Sequence, residues 1–416
     1  MEPTLEGAMA LARSATGPLS PHLTAFIASL TDQRYAVVCL RAKAWRAAAF
    51  DAWLGKQGIE LADLREVHIE QFSLRNYQPR SDCRSKPRRH EAPALRQLLR
   101  YLRAHGLCTL PEVRAIPADA LLAGFEQFLL RDRGLAFSTT GGYRASVRKF
   151  LLERFGGASV DLGALHAIDI IDFMQRQPRR TKPHRLKHVA AALRAFLRWG
   201  QYLGEIDAAL IHSVPTVACW STTPPLPRAI SADHARGAIE SCDPGTAVGR
   251  RDRAVLLLLA RLGLRGGEVI SLMLDDIDWD AGHLRVRGKN GRECLMPLPV
   301  DVGQAIAAYL RSGRPPSTDR HLFLRARAPL RGLMHGSDGV GSIVRNALER
   351  AGIDAPRKGA HQFRHALAVR MLQGGASLPE IGEVLRHRNP MSTSIYAKVD
   401  LVALRTLASP WPGGAS

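Results

Sequence analysis

Cysteine pairing is the first thing this chain lacks. Its six cysteines (Cys39, Cys83, Cys108, Cys219, Cys242 and Cys294) lie far apart, with no Cys-x-x-Cys spacing. That argues against a zinc knuckle or a disulfide framework and for reduced thiols in the cytosol. No basic segment followed by an apolar core stands near the start, so no secretory signal is expected. Long hydrophobic runs are missing too. The longest, Ala254 to Ala260, is bounded by Arg251, Arg253 and Arg261 and falls far short of the roughly 20 apolar residues that span a bilayer. It is expected to be a buried helix of a soluble protein with no membrane partner. Acidic residues are scarce, 38 against 58 Lys and Arg, for a formal net charge of +20. A globular chain this basic most often binds a polyanion, because neutralising phosphates releases counterions and drives association.

At 416 residues, 46% of them hydrophobic, the chain is too long for one ordinary core, and 25 prolines punctuate it. The clearest boundary is PTVACWSTTPPLP, from Pro215 to Pro227, whose adjacent prolines favour an extended linker over residues 215–228. Residues 229–409 then read as one catalytic domain, followed by a tail at 410–416. Before the linker the chain repeats itself. Residues 62–72 (ADLREVHIEQF) match 162–173 (LGALHAIDIIDF) in pattern, and 95–101 (LRQLLRY) match 193–199 (LRAFLRW). Both copies place a basic polar segment between the matched parts, Pro79 to His90 and Pro178 to His188. Two tandem helical modules, 1–112 and 113–214, are therefore expected, each of about four short helices. In the second, Ser138-Thr139-Thr140 stands as the cap of a helix with Arg144, Arg148 and Lys149 on its polar side. These three, with Arg179, Arg180, Lys182, Arg185 and Lys187 in the basic segment, are the expected DNA-backbone contacts. A solvated charged face is the ordinary alternative.

After the linker, residues 246–262 read as a buried helix ending at Gly263, with Arg265 in the turn Gly263-Leu264-Arg265-Gly266-Gly267-Glu268. Glycines there let the backbone approach a bulky ligand. Leu284 to Arg287 and Glu293 to Leu298 alternate as strands do, and Asn290-Gly291 between them is a strong hairpin signal. That hairpin carries Lys289. Further on, His361-Gln362-Phe363-Arg364-His365 opens a helix that ends at Gly374-Gly375. Ser377-Leu378-Pro379-Glu380 forms a capping box for the next helix, with His387 just past its end, and Ser392 or Thr393 can cap a short helix carrying Tyr396. His361 and His365 stand at zinc-ligand spacing, but a metalloprotease needs Glu where Gln362 stands, and no third ligand presents itself. No metal and no other cofactor is expected.

Gly-Leu-Arg-x-x-Glu, the hairpin lysine, His-x-x-Arg, the later histidine and the final tyrosine, in this order from Gly263 to Tyr396, resemble the tyrosine recombinase (phage-integrase) family. The one departure is Arg386, which stands where the family has glycine in Leu-Gly-His. The resemblance covers roughly residues 115–405. It implies a mainly α fold with a small antiparallel β-sheet, in which a core-binding (SAM-like) helical domain precedes a mixed α/β catalytic domain. The first helical module is extra relative to the smallest members. It further implies Arg265 and Arg364 as phosphate-binding arginines, Glu268 as the partner behind Arg265, Lys289 as the acid for the leaving 5′-oxygen, His361 and His387 as proton-handling and hydrogen-bonding groups, and Tyr396 as the nucleophile. Chemically, a phosphodiester is already anionic and gains charge in its five-coordinate transition state. Two planar guanidiniums that never lose their charge suit that task. A tyrosine with a pKa near 10 needs a nearby base and a positive environment to attack.

The function implied is that of a site-specific recombinase or integrase of a mobile element, acting on double-stranded DNA in the bacterial cytoplasm with the nucleoid. Partners implied are a homo-tetramer on paired sites and, beyond it, related recombinases or accessory proteins. Leu401, Leu404 and Leu407 form a short apolar stripe that must dock on something, its own domain or, as in the family, a neighbour in a cyclic assembly. Three rivals remain. A non-catalytic DNA-binding regulator could use 377–396 as a helix-turn-helix. A metal-dependent transposase could use Asp275, Asp276, Asp278 and Asp280, and a chelator would expose it. A type IB topoisomerase shares the chemistry and differs in lacking strand exchange between two sites.

Overall fold

The computed structural model describes residues 4–74, 91–109, 117–177, 183–217, 229–288, 293–334, 339–355 and 357–399. The chain divides into two compact units, residues 1–110 with 225–416 and residues 111–224. Separate hydrophobic clusters lie within residues 8–108, 118–217 and 230–363, with a small one at 367–396.

The first module contains α1 (Leu5–Arg13), α2 (Ser20–Asp32), α3 (Val37–Gln57), a one-turn 3-10 helix (Leu61–Asp63), α4 (Glu66–Leu74) and α5 (Glu91–Ala104). The second contains α6 (Pro117–Arg131), α7 (Phe137–Phe155), a 3-10 turn (Leu162–Ala164), α8 (Ala167–Arg176), α9 (Pro183–Tyr202) and α10 (Ala209–His212). From α2 and α6 onward the two run element for element, including the single 3-10 turn after the long helix. The cores agree in geometry as well as order. Phe50 meets Phe72 edge-on at 5.0 Å and 73°, and Phe150 meets Phe173 at 5.2 Å and 70°. Phe26 lies 5.3 Å from Tyr101, and Phe125 lies 5.6 Å from Trp199. Arg34 and Gly134 both turn the chain with positive φ (62° and 58°) before the long helix. The first copy adds α1, packed on α3.

One local expectation fails. Helix α7 begins at Phe137, with Ala136 as an N-cap that makes no side-chain hydrogen bond. Ser138, Thr139 and Thr140 lie inside its first turn, where the Thr140 hydroxyl donates back to the Phe137 carbonyl. Ala136 has the extended backbone that a cap requires (φ −65°, ψ 143°), and Leu135 before it is pinned by its N–H to the Leu129 carbonyl. Tertiary placement of the turn overrides the preference of hydroxyl side chains for caps.

The segment after the linker opens with α11 (Ala232–Glu240) and α12 (Ala247–Arg261). The Thr246 side chain caps α12 by accepting from the Gly249 N–H, and its Val255, Leu256, Leu258 and Leu259 are fully buried. Next come α13 (Gly266–Ile270), a 3-10 turn (Leu274–Asp276), β1 (Ile277–Asp278), β2 (His283–Arg287), β3 (Glu293–Pro297), α14 (Val300–Ser312), α15 (Val340–Arg350), α16 (His361–Gln373) and α17 (Leu378–Leu385). Two 3-10 segments, Pro390–Ser392 and Ser394–Val399, close the described chain. The strands form an antiparallel sheet in the order β1-β2-β3, with Leu284 opposite Met296 and Val286 opposite Cys294. Leu284, Val286 and Met296 join the core while Arg285 and Leu295 face away, the period-two alternation of a half-buried sheet. Among the described residues the architecture is therefore mainly α with one small antiparallel sheet, as the resemblance implies. The buried run Ala254 to Ala260 lies in α12, the helix on which α11, α14 and α16 pack.

Because each module has its own aromatic core, damage to one should stay local. Phe150→Ala should destabilise the second module by about 3–5 kcal/mol. Hydrogen exchange should then show protection lost across 117–202 and retained across 20–104. Equal loss in both modules would contradict independent cores.

Candidate active site

The site forms where α12, α13, α16 and α17 end or begin. After α12 the chain reverses at Gly263 (φ +58°), where a Cβ would stand 2.7 Å from the Leu385 side chain and 3.0 Å from that of Leu367. Glycine is required both for the left-handed backbone and for this close approach. Arg265 follows as the N-cap of α13 and is held twice by Glu268. Its N–H donates to Glu268 Oε2 at 2.9 Å, and its Nη1 donates to Oε1 at 2.7 Å. Glu268 is only 5% exposed. Burial alone would raise its pKa, but the Arg265 N–H and the guanidiniums of Arg386 and Arg265 outweigh it and hold the carboxylate below its usual range.

Helix α16 begins at His361 and turns Phe363, Arg364, Leu367 and Ala368 inward. Arg364 is 2% exposed. Its two terminal nitrogens donate to the Gly263 carbonyl and the Leu385 carbonyl, so one side chain joins the ends of α12 and α17 and fixes the guanidinium plane. Burial first, then the neighbouring charges of Arg265 and Arg386, lower its pKa to about 10, leaving it a cation at neutral pH.

Helix α17 starts in the expected capping box, in which the Ser377 N–H donates to Glu380 Oε2 at 2.7 Å. It ends at Arg386, whose backbone is left-handed (φ 55°, ψ 48°). A residue with a Cβ carries a steric penalty of about 1–2 kcal/mol there. Arg386 Nη2 donates to Glu268 Oε2 at 2.8 Å. His387 follows, its Nδ1 2.7 Å from the hydroxyl of the buried Thr393. The turn after it is capped by the Asn389 side chain, which accepts from the Met391 N–H. Thr393 stands directly before the segment with Tyr396, where its carbonyl accepts from the Tyr396 N–H at 3.0 Å while its hydroxyl meets His387.

Tyr396 is 1% exposed, and its hydroxyl lies 2.8 Å from Nδ1 of His365. His361 sits one turn back, with its ring centroid 5.8 Å from that of His365. The imidazole on the tyrosine is thus His365, which the motif displays but to which the family resemblance attaches no role. Its spacing from His361 on one helix face is the available signal; the approach of the tyrosine from a distant segment leaves none. Burial first, then adjacent cationic groups, lower the pKa of His365 and of His387 to about 4 each, and that of His361 in the same direction. All three imidazoles are neutral at pH 7. Burial raises the Tyr396 pKa, and the Arg364 charge opposes it.

Arg265, Glu268, His361, Arg364, His387 and Tyr396 thus lie close enough together to act on one another's charge. Lys289, like the Asn290-Gly291 turn, lies outside the described residues, as do Arg179, Arg180, Lys182 and the stripe at 401–407. The hairpin base is described: Arg287 Nη1 donates to Asp276 Oδ2 at 2.7 Å. In the second module, Arg144 pairs with Glu126 at 3.2 Å and Arg148 with Asp119 at 3.4 Å, while Lys149 donates to Gln177 at 2.8 Å. These three side chains tie α7 to α6 and to the end of α8, whereas Arg185 and Lys187 stand exposed on α9. No group of three or more His, Cys, Asp or Glu among the described residues could hold a metal ion.

A buried arginine and two partly exposed ones near a buried tyrosine, with neutral imidazoles at hand, are parts for attacking an anionic ester. Comparison with known proteins agrees. The pattern of the phage integrase family matches residues 229–401. The protein called integrase/recombinase y4rA of Sinorhizobium fredii is 46% identical over 409 residues, 98% of each chain. The chain belongs to the phage integrase family, the tyrosine recombinases. Tyrosine recombinase XerD of Mycobacterium tuberculosis is 31% identical over 315 residues, covering 70% of this recombinase and 96% of XerD. In fold, the recombinase is similar to XerH in a post-cleavage complex (TM-score 0.52, 18% identity, 70% of this chain and 84% of that one). No described helix is long and apolar enough to cross a membrane.

The histidines give a pH signature. Their folded pKa values lie below 6.5, so the folded state favours the neutral form. The associated stability is complete above pH 6.5 and is lost as pH falls towards and through about 4. Each fully displaced histidine contributes at most about 1.4 kcal/mol per pH unit, less here because both are partly solvated. Thermal unfolding midpoints should fall from pH 7 to pH 5, and His365→Asn with His387→Asn should flatten that fall. An unchanged slope in the double variant would refute the assignment.

Proposed function

We propose that this recombinase cuts and rejoins double-stranded DNA at specific sites of a mobile element, through a 3′-phosphotyrosine intermediate. The observation that carries the reading is the contact of the buried Tyr396 hydroxyl with His365 Nδ1 at 2.8 Å, next in sequence to the buried cation Arg364. With its proton on Nε2, His365 accepts at Nδ1 and takes the Tyr396 proton as Oη attacks phosphorus. The new O–P bond forms as the P–O5′ bond breaks, and Lys289 protonates the leaving 5′-oxygen. Arg265 and Arg364 stabilise the charge on the non-bridging oxygens, and His387 donates a hydrogen bond to one of them. His361, stacked beside His365, assists proton transfer. Attack by a 5′-hydroxyl on the phosphotyrosine reverses the bonds on a new strand, so neither ATP nor a metal is needed.

DNA as the partner is supported by the net charge of +20 and by the XerH neighbour, which is bound to a difH substrate. In this reading the second module (113–214) is the core-binding domain, and its Arg185 and Lys187, exposed on α9, meet phosphate. The first module repeats its elements and is read as a second DNA-holding module, and residues 229–409 are read as the catalytic domain. Four protomers assemble on two sites, with the stripe at 401–407 docking on a neighbour and accessory proteins or related recombinases joining at some sites. The setting is the bacterial cytoplasm, at the nucleoid.

Tyr396→Phe should bind DNA as the wild type does and form no covalent adduct on a nicked suicide substrate, read by denaturing electrophoresis. A persistent adduct would move the nucleophile elsewhere. Arg265→Ala and Arg364→Ala should each slow cleavage by about 10²–10³-fold with affinity nearly unchanged, since many other cations hold the duplex.

For assembly, sedimentation should give a monomer or weak dimer free in solution and four protomers per pair of sites. Truncation after Asp400 should spare single-site binding and impair strand exchange; full-rate recombination by the truncated chain would refute the docking of 401–407 on a neighbour.

A further inference from the structure

Arg386 stands where the family pattern places glycine, and its backbone adopts the left-handed conformation (φ 55°, ψ 48°) that glycine would take without strain. Among the described residues, the other non-glycine with positive φ is Arg34, in the first module. The Arg386 side chain is 16% exposed. It crosses from the end of α17 to Glu268 on α13, where Nη2 donates to Oε2 at 2.8 Å, and its Nη1 meets the Met296 sulfur on β3. The same Oε2 accepts from the Arg265 N–H, and Oε1 accepts from Arg265 Nη1. One carboxylate therefore holds two guanidiniums, and one side chain links the turn of His387, the turn of Arg265 and the hairpin that carries Lys289. A glycine at 386 could supply the backbone conformation but none of these links.

We propose that Arg386 is a positioning residue for DNA cleavage: through Glu268 it locks the Arg265 guanidinium, and through its anchored backbone it fixes His387, before DNA arrives. A carboxylate shared by two arginines has less freedom to rotate than one held from a single side. The Arg265 fork is then aimed before the phosphate enters, so less reorganisation accompanies the transition state. The pairing also leaves a net positive charge, because one carboxylate faces two guanidiniums. This inference rests on the recombinase reading above.

The test is single-turnover cleavage of a nicked suicide substrate at saturating DNA by the full chain, with DNA affinity and thermal stability measured alongside. Arg386→Gly restores the family residue, and the relief of left-handed strain offsets part of the loss of the ion pair with Glu268. Its adduct should form about 10²-fold more slowly, with Kd within about twofold of wild type. Arg386→Lys keeps the charge without the planar fork and should recover part of the rate. A merely structural role would not give the third result: with Glu268→Gln already present, adding Arg386→Gly should slow cleavage little further, because both changes break one link. The proposal is overturned if Arg386→Gly cleaves at the wild-type rate, or if the two substitutions multiply in full. Should Arg386→Gly fail to fold, Arg386→Lys decides: a wild-type rate overturns the proposal, and a slowed rate with intact binding supports it. A wild-type protein that forms no adduct would overturn the recombinase reading and this inference with it, whereas an adduct formed equally fast by Arg386→Gly overturns the inference alone.

Discussion

Arg364 has its guanidinium almost wholly out of water, and a charge in that position is tolerable only where partners are already in place. Here the partners are the carbonyls at Gly263 and Leu385, at the ends of two helices, where the helix dipoles carry partial negative charge. The rest of the site follows from that tie. Gly263 must lack a side chain for α12 to end against Leu385 and Leu367. Leu385 must end its helix there, which puts Arg386 and His387 next, and Arg265 follows soon after Gly263. One buried cation thus brings three parts of the chain, separated by 101 and 21 residues, to a common point.

The electrostatic character follows from the same burial. Burial first, and then the neighbouring cations, keep the imidazoles unprotonated, while the Arg265 N–H and the guanidiniums of Arg386 and Arg265 hold Glu268 negative against its burial. Such a site is poor at holding a metal ion and well suited to an anionic ester. The neutral imidazole beside Tyr396 has Nδ1 within hydrogen-bond reach of the hydroxyl, whose proton is held more tightly because of its burial.

The helical modules show the same division between a core that repeats and a surface that diverges. The edge-on phenylalanine pairs recur in the two copies with nearly the same separation and tilt. The side chains around them differ. Arg144, Arg148 and Lys149 of α7 have alanines at the corresponding places of α3, Ala44, Ala48 and Ala49. In the second copy these cations bridge helices through Glu126, Asp119 and Gln177. A charged stripe read from one helix does not reveal the carboxylates that a neighbouring helix brings to it.

Much of the fold and most of the site are legible in the chain alone, because their signals are local. Apolar periodicity sets α12, alternation sets β2 and β3, Ser377 with Glu380 sets the start of α17, and the duplication is readable in two matched segments. The order of Arg265, His361, Arg364, His387 and Tyr396 points to their shared chemistry without any coordinates. Contacts between distant segments are not legible. His365 on Tyr396, Thr393 on His387, and Arg386 on Glu268 join residues 31, 6 and 118 positions apart, and even the shortest depends on how a turn closes. The start of α7 escapes the sequence for the same reason, since the turn before it is set by contacts beyond the helix. The sequence by itself determined which chemical groups are present and which helices and strands carry them, because those follow from side-chain type and from the periods of strand and helix. Only the tertiary structure decided which imidazole meets the tyrosine, which cations are already paired, and how buried each charge is, because burial and pairing belong to the packed arrangement rather than to any one segment.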